Sequence, residues 1–86
     1  MQDKKLKFQN SLAKIIKKHR QNLQLSMTKT SDEIGLTKSI WSNVEAGNRD
    51  PQLTTIWRMA EALNVPLSKI ILELENELGE DYFLEN

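Results

Sequence analysis

Eighty-six residues, 38 % of them hydrophobic, suffice for one small domain with a thin core and not for two independent ones. Zero cysteines exclude a disulfide framework and any thiolate metal site, and a single histidine leaves little for zinc, so no metal or cofactor is expected. Net charge is zero, yet residues 1–49 hold ten Lys/Arg against four Asp/Glu (+6) and residues 50–86 hold two against eight (−6); this segregation is either two solvated faces or a basic half suited to a polyanion, which responds to the local field rather than to the sum.

Residues 1–9 read as a flexible basic lead-in whose Leu6 and Phe8 could dock on a core. The segment lacks the apolar stretch and small-residue cleavage site of a secretory signal. Nowhere does an apolar run approach the roughly 18 residues that cross a bilayer, so a cytoplasmic chain without membrane association is expected. Residues 10–78 should form the domain. Leu12, Ile15, Ile16 and Leu23 fall on one helical face and predict a first helix over residues 10–23, with position 19 on the same stripe and Lys14, Lys17 and Lys18 facing solvent or phosphate. Ser26 is a good N-cap for a second helix running to about Ile34. Gly35 lets the backbone bend without a Cβ clash, and Thr37 then caps a third helix from Lys38 to Ala46 with Trp41 and Val44 inward. Asp50-Pro51 predicts the start of a fourth helix. Its apolar positions are Leu53, Ile56, Trp57, Met59, Ala60 and Leu63, and Asn64 is its closing turn. After Val65-Pro66, the stripe Leu67, Ile70, Ile71, Leu74 and Leu78 predicts a fifth helix ending near Gly79, and residues 79–86 form an acidic tail with aromatics at 82 and 83.

Short helix, glycine turn, short helix is the order of a helix-turn-helix in an all-α fold. Its second helix carries Lys38, Ser39, Ser42 and Asn43 on or beside one face and can lie in the DNA major groove. From residue types alone, these side chains either solvate an amphipathic helix or meet a ligand.

The spacing of Leu25, Ile34, Gly35, Val44, Glu45, Gly47 and Pro51, with Ala60, Leu63 and Val65 downstream, resembles the Xre/Cro-repressor superfamily of helix-turn-helix regulators over residues 11–72. The resemblance implies a compact five-helix, lambda-repressor-like DNA-binding domain with the motif in helices two and three. It implies that Lys38, Ser39, Ser42 and Asn43 contact DNA bases, since Asn pairs bidentately with adenine and Lys donates to guanine. Ile40 either touches a thymine methyl or belongs to the core edge. Thr28, Lys29, Asn48, Arg49 and the amides opening helix two are implied to contact phosphates. Arg20 and Glu45 are implied to form a structural ion pair, an Arg fork on a carboxylate, that holds the third helix against the first; the same pair at the surface would contribute little. Two departures stand out. Met27 replaces the glutamine usual in similar regulators, and Thr30-Ser31 replace an apolar residue and alanine. Trp41 can fill the missing volume, with its indole N–H directed at one of those hydroxyls.

His19 has no neighbouring nucleophile or carboxylate arrangement, so no enzyme activity is expected, and no small-molecule ligand. Glu73, Glu75 and Glu77 alternate between helix faces and read with Glu80 and Asp81 as a solvated acidic helix end. Trp57, Leu72, Leu74, Leu78, Tyr82 and Phe83 exceed what so small a core needs and predict a homodimer interface. The expected function is a transcriptional repressor that binds double-stranded DNA as a homodimer at an inverted-repeat operator, its two reading helices about 34–36 Å apart. The alternative is a protein-interaction module, such as an antitoxin-like partner protein, whose acidic and aromatic C-terminal segment binds another protein; Met27, Thr30 and zero net charge favour it.

Overall fold

In the computed structural model, which describes residues 4–85, five helices follow in order: α1 (Lys4–Asn22), α2 (Met27–Glu33), α3 (Lys38–Glu45), α4 (Leu53–Ala62) and α5 (Leu67–Leu78). Where each helix stops is decided by how its last carbonyls are satisfied. At the ends of α1, α2, α3 and α4 one residue turns left-handed: Gln24 (φ 57°), Gly35 (φ 71°), Gly47 (φ 74°) and Asn64 (φ 61°). The next amide then reaches back over the last turn, Leu25 to the Arg20 carbonyl (3.1 Å), Leu36 to Ser31 (2.9 Å), Asn48 to Asn43 (3.1 Å) and Val65 to Ala60 (3.0 Å). This is the Schellman closure, in which the residue after the left-handed one commonly plugs the core. Leu25, Leu36 and Val65 do so. Asn48, at the end of α3, is polar and exposed.

The two motif glycines are favoured by their positive φ, and side chains from α1 and α4 lie close over both. A Cβ on Gly35 would lie 3.1 Å from the Arg58 guanidinium, and one on Gly47 would run into the Asn10 side chain. At the opposite helix ends, the Ser26 hydroxyl accepts from the Lys29 amide (3.1 Å) and the Thr37 hydroxyl from the Ile40 amide (3.2 Å), each satisfying one orphan donor.

α1 packs on α3 and α5, α2 on α3 and α4, and α4 on α5. Leu12, Ile15, Ile16, Leu36, Trp41, Val44, Ile56, Met59, Ala60, Leu63, Ile70 and Leu74 are buried between them. Thr30 and Ser31 are buried too, and their hydroxyls donate back along α2, Thr30 to the Ser26 carbonyl (2.5 Å) and Ser31 to the Met27 carbonyl (2.7 Å). Neither polar group is left unpaired, which is what makes their burial tolerable.

The observed helices depart from the sequence expectation in three places. α1 is already helical at Lys4, the first described residue, rather than from Asn10, and this stretch is held from the far end of the chain: the Tyr82 hydroxyl donates to the Lys4 carbonyl, Lys4 Nζ donates to the Phe83 carbonyl (3.1 Å), and Lys4 and Lys7 lie over the Tyr82 ring at 6.0 and 5.6 Å. Leu23, expected on the core stripe of α1, is exposed, because the left-handed turn at Gln24 brings Leu25 inward in its place. α4 begins at Leu53, with Gln52 as N-cap and no side-chain cap, since Asp50 pairs with Lys5 (3.2 Å) instead.

α1 and α5 are also joined by charge. His19 Nε2 lies 2.9 Å from Glu73 Oε1, with Lys18 and Lys69 at 3.9 and 3.5 Å from the same carboxylate, and Lys14 pairs with Glu77 (3.1 Å). Partial burial pushes the Glu73 carboxyl up, but the hydrogen bond and charge of His19, the charge of Lys18 and the hydrogen bond from Lys69 together hold it below its ordinary value. Glu73 and Glu77, one turn apart, therefore face α1, which corrects their reading as a purely solvated helix end. No helix among the described residues is long and apolar enough to cross a membrane.

Candidate nucleic-acid interface

α3 is amphipathic about a simple geometry. At 3.6 residues per turn, Lys38, Ser39, Ser42 and Asn43 occupy an arc of about 140°, and Trp41 and Val44 point to the opposite side. Trp41 and Val44 are buried, Lys38 and Ser39 are exposed, and Ser42 and Asn43 are half-buried, Asn43 at one end of the arc and Ser42 within it. Ile40 is half-buried and packs against the core, which assigns it to the core edge rather than to the outward arc. Ala46, just past the helix, is exposed on that arc and was not singled out by its residue type.

The inner side of α3 is anchored by one nearly buried carboxylate. Glu45, its side chain 6 % exposed, receives Arg20 Nε at 2.5 Å and Arg20 Nη2 at 3.0 Å in a bidentate fork, and Arg20 Nη1 donates onward to the Leu25 carbonyl at 2.7 Å. The hydrogen bond to Glu45 raises the Arg20 pKa, although burial works against it. The Trp41 indole Nε1 donates to the same carboxylate at 2.6 Å. The expectation that a Thr30 or Ser31 hydroxyl would take the indole proton is therefore overturned: those hydroxyls are engaged along their own helix, and Glu45 lies one turn from Trp41 on the same side of α3. The i, i+4 spacing of the two residues was the signal available in the sequence.

Thr28 and Lys29, in the first turn of α2, are exposed, as are Asn48 and Arg49 in the loop after α3. One of the amides at the start of α2 is not available to a phosphate, since the Lys29 N–H is bonded to Ser26. The loop is buttressed from behind by α1, with Asn10 against Gly47 and Lys5 against Asp50. On the far side of the motif, the Arg58 guanidinium of α4 donates to the Ile34 carbonyl and so holds the turn between α2 and α3; nothing in the local sequence pattern indicated this contact.

The residues expected at a homodimer interface separate into three groups. Trp57, Leu72 and Phe83 are 53, 57 and 61 % exposed, and Leu53 and Leu84 join them. Leu78 and Tyr82 are half-buried, and Tyr82 is engaged with α1. Leu74 is 5 % exposed and belongs to the core, because α5 turns that position toward the other helices, and its remaining surface lies in the floor of a groove beside α5. That groove measures about 350 Å³ and is also lined by Phe8, Ile71, Leu78, Tyr82, Phe83 and Leu84.

Five helices with α2 and α3 joined through a left-handed glycine, and the polar arc of α3 turned outward from an anchored inner side, define a helix-turn-helix DNA-binding domain. The chain belongs to the HTH_3 family, described as helix-turn-helix, whose family model matches residues 16–70. It is similar to the HTH-type transcriptional regulator SutR of Escherichia coli (strain K12), with 30 % identity over 60 residues that cover 70 % of this chain and 34 % of SutR. It is also similar to the control protein C.MunI of Mycoplasma sp., with 29 % identity over 77 residues, 90 % of this chain and 100 % of C.MunI. The chain thus spans about a third of SutR but matches C.MunI over its full length. Among solved structures, an HTH_3 family transcriptional regulator from Vibrio cholerae superposes with a TM-score of 0.78 at 22 % identity, covering 94 % of this chain and 46 % of that one. The clp gene regulator ClgR from C. glutamicum gives 0.75 at 11 % identity over 84 % of this chain and 94 % of ClgR. At such identities the likeness shows the fold alone.

Proposed function

We propose that this protein is a transcriptional regulator that binds an inverted-repeat operator as a homodimer, inserts α3 into the major groove of each half-site, and represses by occluding the promoter. The outward polar arc of α3 carries this reading. Ser39, Ser42 and Asn43 present short donors and acceptors, and Lys38 a longer donor, of the kind that bond base edges, each good bidentate pair contributing about 1–3 kcal/mol of discrimination. Thr28, Lys29, Asn48 and Arg49 supply the phosphate contacts on either side of the reading helix. The exposed apolar set Trp57, Leu72 and Phe83, with Leu53 and Leu84, supports a two-fold interface, and a two-fold axis is what allows one short helix per copy to read a site long enough to be specific.

The test is selection of binding sites from random duplex DNA, with a Lys38→Ala/Asn43→Ala variant run in parallel. The wild type should enrich a pseudo-palindrome, with affinity falling steeply as salt rises. The variant should lose the enriched motif while keeping salt-dependent binding to bulk DNA. Recovery of the same motif at equal affinity by the variant would remove these residues from the reading set; a wild type that enriches nothing would favour the protein-interaction module, with the apolar face as its docking surface.

A further inference from the structure

We infer that Trp41 is a positioning residue for base readout: its indole N–H, acting through the Glu45 carboxylate, fixes the roll of α3 about its own axis and so the aim of Ser39, Ser42 and Asn43. The inference rests on the proposed reading of α3 as the DNA-reading helix. Three observations carry it. The Trp41 ring is completely buried, so its indole N–H has a fixed place in the core. That N–H donates at 2.6 Å to Glu45 Oε2, the oxygen that also receives Arg20 Nε at 2.5 Å. Arg20 in turn belongs to α1 and is tied, through Nη1, to the Leu25 carbonyl at the entrance to α2.

Trp41 and Glu45 both stand on α3, so the indole bond does not by itself tie the helix to its neighbours. α3 is held by the packing of Trp41 and Val44 against α1 and α2 and, near its C-terminal end, by the Arg20 fork. Without the indole, the Glu45 stem that carries the fork is free to change rotamer, so that packing alone sets the roll. With it, the carboxylate is caught between a side chain of α1 and a ring wedged in the core, and the roll is fixed. The magnitude decides which contacts notice. A roll of 10–20° moves a side-chain tip about 5–6 Å from the helix axis by about 1–2 Å. That displacement breaks a short hydrogen bond to a base edge. The long side chains of Lys29 and Arg49 can follow their phosphates over the same distance. Loss of the indole donor should therefore reduce discrimination between sequences far more than it reduces binding to DNA in general.

The experiment replaces Trp41 site-specifically by benzothienylalanine, which keeps the bicyclic shape and puts sulfur where the N–H was, and runs Trp41→Phe beside it. Affinities are measured for the selected operator duplex and for a scrambled duplex of the same length at the same salt, and thermal unfolding is recorded for each protein. The expected result for benzothienylalanine is an operator-to-scrambled ratio reduced by about tenfold or more, equivalent to about 1.4 kcal/mol, with scrambled-duplex affinity within about twofold of wild type. A purely structural contribution would lower the melting temperature and scale both affinities together, leaving the ratio where it was; that result overturns the positioning role. If Trp41→Phe unfolds, the isosteric protein still decides the matter, since it leaves no cavity. A wild type that never distinguishes the two duplexes would defeat the DNA reading and this inference with it, whereas a wild type and an isosteric protein that discriminate equally would defeat the inference alone.

Discussion

Arg20→Met tests how deeply the attachment of α3 is built in. The substitution keeps much of the aliphatic volume and leaves the Glu45 carboxylate, 6 % exposed, with the Trp41 indole as its remaining side-chain donor among the described residues. Breaking a buried ion pair from one side costs about 3–5 kcal/mol because a charge is stranded. Arg20 itself is 13 % exposed, so some water can reach the stranded oxygen, and the lower figure of about 3 kcal/mol applies. For a domain of this size each kcal/mol moves the melting temperature by about 4–8 °C. Arg20→Met should therefore melt about 12–24 °C below the wild type in far-ultraviolet circular dichroism. Adding Glu45→Gln removes the stranded charge and keeps an oxygen for the indole, so the double variant should be more stable than Arg20→Met by about 1 kcal/mol or more, a non-additivity that only coupled residues display. A drop of less than about 4 °C for Arg20→Met would be the signature of a surface pair contributing about 0–1 kcal/mol, and the view of Glu45 as the anchor of α3 would fail.

Glu73 sets an acid limit on the contact between α1 and α5. Its folded carboxyl titrates below the ordinary value of 4.5, so its contribution to stability is complete above that value and disappears as pH falls through it toward the lower folded value. Glu73→Gln should flatten the loss of urea midpoint below about pH 5, and an acid limb identical to wild type would contradict the assignment. Leu74 and Leu72 should behave oppositely despite being two residues apart: Leu74→Ala is expected to lose about 2–5 kcal/mol in denaturant unfolding, and Leu72→Glu to change monomer stability by less than about 0.5 kcal/mol while abolishing self-association in sedimentation. Equal effects of the two on stability, or a Leu72→Glu protein that sediments like the wild type at every concentration, would count against the division of α5 into a core side and a partner side.

The helices were legible where local chemistry decides alone. Ser26 and Thr37 cap as their residue types predict, and Gly35 turns left-handed where only glycine does so at little cost. What escaped the sequence reading involves competition between partners. Asp50 is a fitting cap by type, but Lys5 engages it and α4 starts later without a side-chain cap. Gln24 carries no sign of a left-handed turn, so the helical period appeared to continue to Leu23 when the chain in fact brings Leu25 inward. The described start of α1 is held by Tyr82, 78 residues away, and no local pattern reports such a contact. α5 has apolar residues round much of its circumference, so its period identified the helix without saying that Leu74 faces the core and Leu72 faces out.

Charge is where one-dimensional reading and three-dimensional arrangement differ most. Along the chain the lysines of α1 belong to a basic half, but in space the acidic residues of α5 lie against them: Lys14 meets Glu77, and Lys18 and His19 meet Glu73. Two of the ten cations in residues 1–49, Lys14 and Lys18, are thereby engaged in holding α1 to α5. Lys29, Lys38 and Arg49 are different, since they surround the motif, are exposed, and engage no carboxylate among the described residues. A chain of zero net charge thus keeps three exposed cations along the edge of the motif, beside the exposed Asp32 and Glu33 of α2, while Glu73 and Glu77 of α5 offset charge on α1. The field at a DNA backbone is set by that local edge.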